Sequence, residues 1–302
     1  MEGLRGASAL AVLGYHALGF GAVAASYYRL GLGGGFAAVY VFFALSAFLL
    51  TRSPVKSWRD YYTHRLFRIF PTWLAVLPLF ALAGIVPLSP WLFGLVQNWL
   101  PASAGIGNPT WTLSIELVFY ACLPLWAWAL GKSPYALATV CAAATLATAA
   151  LHPPGFLAQA GLAPLSYASG SLAARGRLPR LGAPLSTAAL LGGFAASTVW
   201  PVAAPAAVGL AAGFALVSLP KALARLKGFG SVAYPVYIAG YPVLFFARDL
   251  AADPWLSAAL ACAGTLALAL LLHRLVEAPG IRLGQRAARL YARGALSTAR
   301  TA

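Results

Sequence analysis

Residues 3–16, Gly-Leu-Arg-Gly-Ala-Ser-Ala-Leu-Ala-Val-Leu-Gly-Tyr-His, open an apolar helix that begins at Arg5 and carries one histidine, His16, inside it. Arg5 and His16 are three helical turns apart, so they share one helix face about 16 Å apart along the axis. In a bilayer that spacing sets a cation near one edge and an imidazole near mid-depth. A basic start, an apolar run and the small residues Ala22 to Ser26 also fit a secretory signal peptide. The histidine within the run, and the further apolar runs that need a first helix for orientation, favour a membrane span.

Outward from this stretch the composition stays apolar. Hydrophobic residues make up 61% of the 302 and charged residues 9%, and the mean hydropathy is +0.79. These values exclude an ordinary soluble domain and point to an all-α polytopic membrane protein. Runs long enough to span predict about ten transmembrane helices, near 6–24, 33–51, 70–87, 111–131, 134–151, 156–173, 185–200, 203–219, 231–247 and 255–275. The formal charge of +15 does not indicate a nucleic-acid partner, because the cations lie in short segments between apolar runs. With the N-terminus inside, those inner segments collect 19 of the 21 Lys and Arg residues, all but Arg29 and Arg248. Both termini are therefore expected in the cytoplasm. The expected division is a transmembrane domain over 1–281 and a basic tail over 282–302. Arg282, Arg286, Arg289 and Arg293 predict a short amphipathic helix on the anionic inner leaflet.

Cys122, Cys141 and Cys262 fall in apolar runs without metal-ligand spacing and read as small core residues, so neither a disulfide nor a metal is expected. The run Gly31-Leu-Gly-Gly-Gly lacks the spacing and strand-to-helix context of a nucleotide loop. Trp91 and Trp99 read as part of an interfacial aromatic belt. Gly209-x-x-x-Gly213 permits close helix packing, a weak signal in a chain so rich in small residues.

Ionisable residues within spans are costly and mark function. His16 and Glu116 are the two clear cases, expected to reach one cavity in the middle-to-outer half of the membrane. Such an imidazole can take a proton from a hydroxyl, and a neighbouring carboxylate can fix its tautomer or stabilise its cation. The alternative is an interhelical hydrogen bond used for packing. The inner loop Arg59 to Pro71 carries Arg65 and Arg68 at i, i+3, whose guanidinium forks suit phosphates. With Arg5 they would gather around a phosphorylated cytoplasmic donor, or they serve only as positive-inside anchors.

Four separated motifs resemble the membrane-bound acyltransferase 3 family, which O-acylates sugars and other envelope or secreted acceptors. They are Leu4-Arg5-Gly6 with Tyr15-His16, Phe42-Phe43-Ala44-Leu45-Ser46, Arg65-Leu66-Phe67-Arg68, and Trp111-Thr-Leu-Ser114-Ile-Glu116 with Phe119-Tyr120. Weaker likenesses are Tyr234-Pro-Val-Tyr237 and Val276-Glu277-Ala-Pro279. The departures are Tyr40 where the family usually has aspartate, Ala47 for glycine, and Gly240 for a late histidine.

The resemblance implies a plasma- or inner-membrane enzyme taking acetyl or another acyl group from cytoplasmic acyl-coenzyme A to an acceptor hydroxyl, commonly of a saccharide. Arg5, Arg65 and Arg68 would hold the donor's phosphates, and His16 would act as general base or transient acyl carrier. Glu116 would orient that histidine or activate the acceptor. Trp111, Ser114, Tyr120, Ser46 and Tyr40 are the candidate substrate-binding residues, Trp111 as a platform for a sugar ring. Two other readings stand beside it: a proton-coupled transporter using His16 and Glu116, and a catalytically inactive member of the family.

Overall fold

Lipid offers no hydrogen bonds to a bare backbone, so an apolar chain of this length satisfies its amides within helices. The computed structural model describes residues 2–19, 32–53, 55–85, 90–95, 98, 110–153, 156–200, 204–218, 230–247 and 253–301, and these are helices and connections without a strand. Helix α1 is Glu2–Gly19. A 3₁₀ turn, Leu32–Ala37, leads into α2, Ala38–Arg52. Then come α3 (Trp58–Leu82), α4 (Thr110–Ala121), α5 (Leu123–Lys132) and α6 (Pro134–Leu151). The remainder is α7 (Phe156–Ala174), α8 (Ala183–Val199), α9 (Ala204–Ser218), α10 (Ala233–Ala247) and α11 (Pro254–Leu272). A π-helical turn, His273–Glu277, joins α11 to α12, Ala278–Thr301, without a loop.

Among the described residues, four helical stretches are long and apolar enough to cross a membrane: Gly34–Arg52, Trp58–Leu82, Pro134–Leu151 and Pro254–Tyr291. The bent pair α4 and α5 adds a fifth if counted as one span, and α8, α9 and α10 are shorter apolar helices. The expected count of ten is not reached on this measure, although every expected stretch contains helix. Trp99, Arg29, Arg248 and the basic residues of segment 221–227 lie outside the described residues.

Two expectations are corrected. The basic stretch from Arg59 to Pro71 is not a loop but the first half of α3. Ser57 caps that helix by accepting from the Asp60 amide, and Asp60 places a carboxylate in the first turn. Charge made the stretch look like a connection, while its Ser57-x-x-Asp60 start is a helix signal. The run 111–131 is not one straight helix, because α4 and α5 meet at 60°. Pro124 follows the break and has no amide to return to Tyr120 four residues back. The carbonyls at the bend accept from the α3 phenols instead, Tyr120 from Tyr61 at 3.4 Å and Ala121 from Tyr62 at 3.1 Å.

Helix α2 is apolar on all sides and central, packing on α7, α9 and α1. Close approach at these seams depends on glycine. A Cβ at Gly170 of α7 would fall inside the Ala44 carbonyl of α2, and one at Gly209 of α9 would overlap Ser166 of α7. Ser169 Oγ donates to the Gly209 carbonyl at 2.8 Å. The Gly209-x-x-x-Gly213 motif is thus a helix contact. On the other side α1 packs on α10, α10 on α11, and α12 runs antiparallel along α3. The basic tail is therefore anchored on protein. Gly280, Gly284 and Ala288 are buried on the α3 side, while Arg282, Arg286 and Arg289 are exposed. The cysteines are unpaired, and Cys122, at the bend, is exposed rather than core.

Candidate active site

The helix ends around α2 enclose one cavity of about 90 Å³ that gathers four ionisable side chains inside an apolar bundle. Arg5 comes from α1, Arg65 and Arg68 from α3, and Glu116 from α4. Helix α3 reaches the cavity because its cap sets the register at Trp58, and the i, i+3 spacing then turns both arginines to one face. Helix α2 supplies Phe42, Phe43 and Ser46, and α10 supplies Tyr234 and Tyr237.

The carboxylate is held from two directions. Ser46 Oγ of α2 donates to Glu116 Oε1 at 2.7 Å, and Tyr120 donates to the same oxygen at 2.5 Å from one turn further along α4. Tyr237 and Thr112 share a hydrogen bond of 2.6 Å that joins α10 to α4, and Tyr234 donates to the Ile69 carbonyl of α3 at 3.0 Å. Arg65 lies with its guanidinium carbon 5.3 Å from the Tyr120 ring centre and 5.7 Å from that of Tyr61. Its Nε is buried and has no hydrogen-bond partner among the described residues. Among those residues no arginine forms an ion pair with Glu116 within 4.0 Å. Three guanidinium groups thus face a space containing one carboxylate, a surplus of positive charge suited to an anionic ligand.

The sequence reading expects Glu116 and His16 to reach one cavity in the middle-to-outer half of the membrane. In the structure Glu116 joins Arg5, Arg65 and Arg68, the residues expected at the inner mouth, because α4 is short and bends away after Ala121. His16 does not line this cavity. It stands three turns beyond Arg5 on α1, edge-on to the rings of Tyr15 and Tyr241, each at 5.1 Å between centres.

Three of the candidate substrate-binding residues do not line this cavity. Trp111 packs edge-on to Phe43 at 6.4 Å. Ser114 donates to the Leu95 carbonyl at 2.5 Å and accepts from Asn98 at 2.9 Å, which pins a connecting segment to α4. Tyr40 is fully buried and donates to Gln159 Oε1 of α7 at 2.7 Å, so this position carries a satisfied phenol. Ser46 and Tyr120 do line the cavity. Gly240 packs against α1, where a Cβ would sit 3.2 Å from Leu13. Thr112, Tyr234 and Tyr237 are cavity residues the sequence reading did not select. The Tyr234-Pro-Val-Tyr237 spacing, which sets both phenols on one helix face, was the signal for the two tyrosines.

Residues 1–274 match the profile of a family described as an acyltransferase domain. A curated relative, the acyltransferase MdmB of Streptomyces mycarofaciens, is 36% identical over 129 residues, covering 36% of this chain and 33% of the relative. The chain thus spans about a third of the curated relative it matches. No solved structure matches it.

Proposed function

The chain belongs to this acyltransferase domain family, and from that premise we propose that it is a membrane acyltransferase with a cytoplasmic acyl-coenzyme A, acetyl-coenzyme A above all, as donor. The acceptor is a hydroxyl of an envelope or exported saccharide or a similar molecule. The observation that carries this reading is the cavity in which Arg5, Arg65 and Arg68 converge beside a fixed Glu116.

Phosphate oxygens of the donor bind the three guanidiniums, and Arg65 Nε gains the acceptor it lacks. The donor's pantetheine arm then follows α1 inward, across the about 16 Å that three helical turns provide between Arg5 and His16. At His16 the acceptor hydroxyl gives its proton to the imidazole as its oxygen bonds to the thioester carbonyl carbon. The carbon–sulfur bond breaks, and the leaving thiolate takes the proton. Glu116, held by Ser46 and Tyr120, fixes the charge balance of the arginine cluster and the position of its helix.

Purified protein in liposomes, given acetyl-coenzyme A, releases free thiol faster when an acceptable saccharide is present. His16→Ala keeps donor binding and loses turnover, whereas Arg65→Ala and Arg68→Ala weaken donor binding first. A folded wild type that binds no donor and releases no thiol would bring forward the proton-coupled transporter.

A further inference from the structure

Two further openings adjoin the arginine cavity beside the α2–α3 connection. One, of about 290 Å³, shares Leu50 and Arg65 with that cavity, and the other, of about 230 Å³, shares Leu50, Ser53 and Val55 with the first. The shared wall residues set the three openings side by side along the α2–α3 connection.

The two further openings differ in chemistry. The nearer one presents Lys56, His64 and Arg65, opposed by one carboxylate, Asp60. His64 Nδ1 donates to the Asp60 carbonyl at 2.6 Å, which fixes the ring against its own helix. The farther one is an apolar slot with two indoles, Trp58 and Trp126, and with Arg175 at its edge. Trp126 is held by donating to Ser171 at 3.0 Å, while Trp58 is 40% exposed. Flat apolar walls beside a guanidinium recognise an aromatic base with an attached phosphate, since every base offers a π-face for stacking. Positive-inside anchoring explains the charge of Arg175 but not its place in a slot that two indoles line.

We propose that these adjoining openings bind the nucleotide half of the donor. The adenine lies in the slot between Trp58 and Trp126, with Lys56 joining Arg5, Arg65 and Arg68 on the diphosphate and Arg175 on the ribose phosphate. This assignment rests on the acyl-coenzyme A reading and extends it to residues outside the arginine cavity. It also gives the donor a direction, with the base at the cytoplasmic rim and the thioester toward α1.

The test compares acetyl-coenzyme A with S-acetylpantetheine, which lacks the nucleotide, using wild type, Trp58→Ala, Trp58→Phe and Arg175→Gln in detergent. Binding of adenosine 3′,5′-bisphosphate is followed by calorimetry on the same proteins. Trp58→Ala and Arg175→Gln should each raise KM for acetyl-coenzyme A about tenfold at unchanged kcat. KM for S-acetylpantetheine should stay constant, and Trp58→Phe should recover most of the loss. Equal effects on both donors, or none on either, would overturn the nucleotide site while leaving the donor reading intact. Bisphosphate binding that depends on Trp58, without thiol release from acetyl-coenzyme A, would keep the site and reject the transferase reading. Failure to bind bisphosphate, with Trp58-dependent retention on phosphatidylglycerol but not phosphatidylcholine nanodiscs, would reassign the slot to a lipid headgroup and overturn the proposal.

Discussion

Ser46 of α2 and Glu116 of α4 are joined by a hydrogen bond of 2.7 Å between helices that otherwise meet mainly through apolar side chains. A bond to a charged acceptor contributes about 1.5–3 kcal/mol. Ser46→Ala should therefore leave Glu116 on Tyr120 alone and lower kcat/KM by roughly tenfold to a hundredfold. The protein should remain monodisperse, with Tm lowered by a few degrees. Thiol-release kinetics check this, and Ser46→Thr, which keeps the hydroxyl, should recover most of the rate.

Arg65 and Arg68 present forks, not merely charges. Arg65→Lys and Arg68→Lys keep the charge yet lose bidentate geometry, and at Arg65 also the contacts over Tyr61 and Tyr120. Each should raise the donor Kd about tenfold, and the double alanine variant should abolish measurable binding. Calorimetric titration with coenzyme A distinguishes this from an anchoring role, in which lysine would substitute without loss.

Much of this arrangement was legible in the sequence, since the 134–151 helix was bounded correctly and Arg5, Arg65, Arg68 and Glu116 were all singled out. The meeting of Glu116 with the three arginines was not legible. It depends on the bend at Cys122, where Pro124 and the phenols of Tyr61 and Tyr62 decide the path, and hydropathy does not sense a bend. The start of α3 was missed because charge outweighed the capping pattern. The hydrogen-bond partners of Tyr40 and Ser114, Gln159 and Asn98, were not legible either, because tertiary contact sets them.

The glycine seams separate packing from chemistry. Gly170→Ala and Gly209→Ala push a methyl into the Ala44 backbone and into Ser166, so each should destabilise by about 1–3 kcal/mol or more. Gly192→Ala in α8 meets nothing within 4 Å and should be neutral or stabilise by up to about 1 kcal/mol. Thermal unfolding in detergent checks the contrast. Equal shifts at the three positions would contradict the close approach of α7 to α2 and α9.

The helix that carries the two α3 arginines is packed along its length by α12, which never enters their cavity. Pro71 has no amide to offer Phe67, so the Phe67 carbonyl stands open on α3, and Gly280 of α12 packs against it, where a Cβ would lie 3.0 Å away. Gly284 repeats this contact at the Phe67 side chain, and Arg59 stacks over Tyr291 at 3.7 Å further along. The π turn before α12 sets this register, and within it the buried Glu277 carboxylate accepts from His273 at 2.7 Å. Glu277→Ala removes that acceptor and frees the turn, so α12 loses its register on α3 and Arg65 and Arg68 lose their common aim. The expected result is a donor Kd raised about tenfold together with a lower Tm. Glu277→Gln, which still accepts from His273, should cost much less in both. Gly284→Leu should reproduce the Glu277→Ala effect on donor binding by wedging α12 away from Phe67. Intact donor binding in Gly284→Leu would show that α3 holds its arginines without α12.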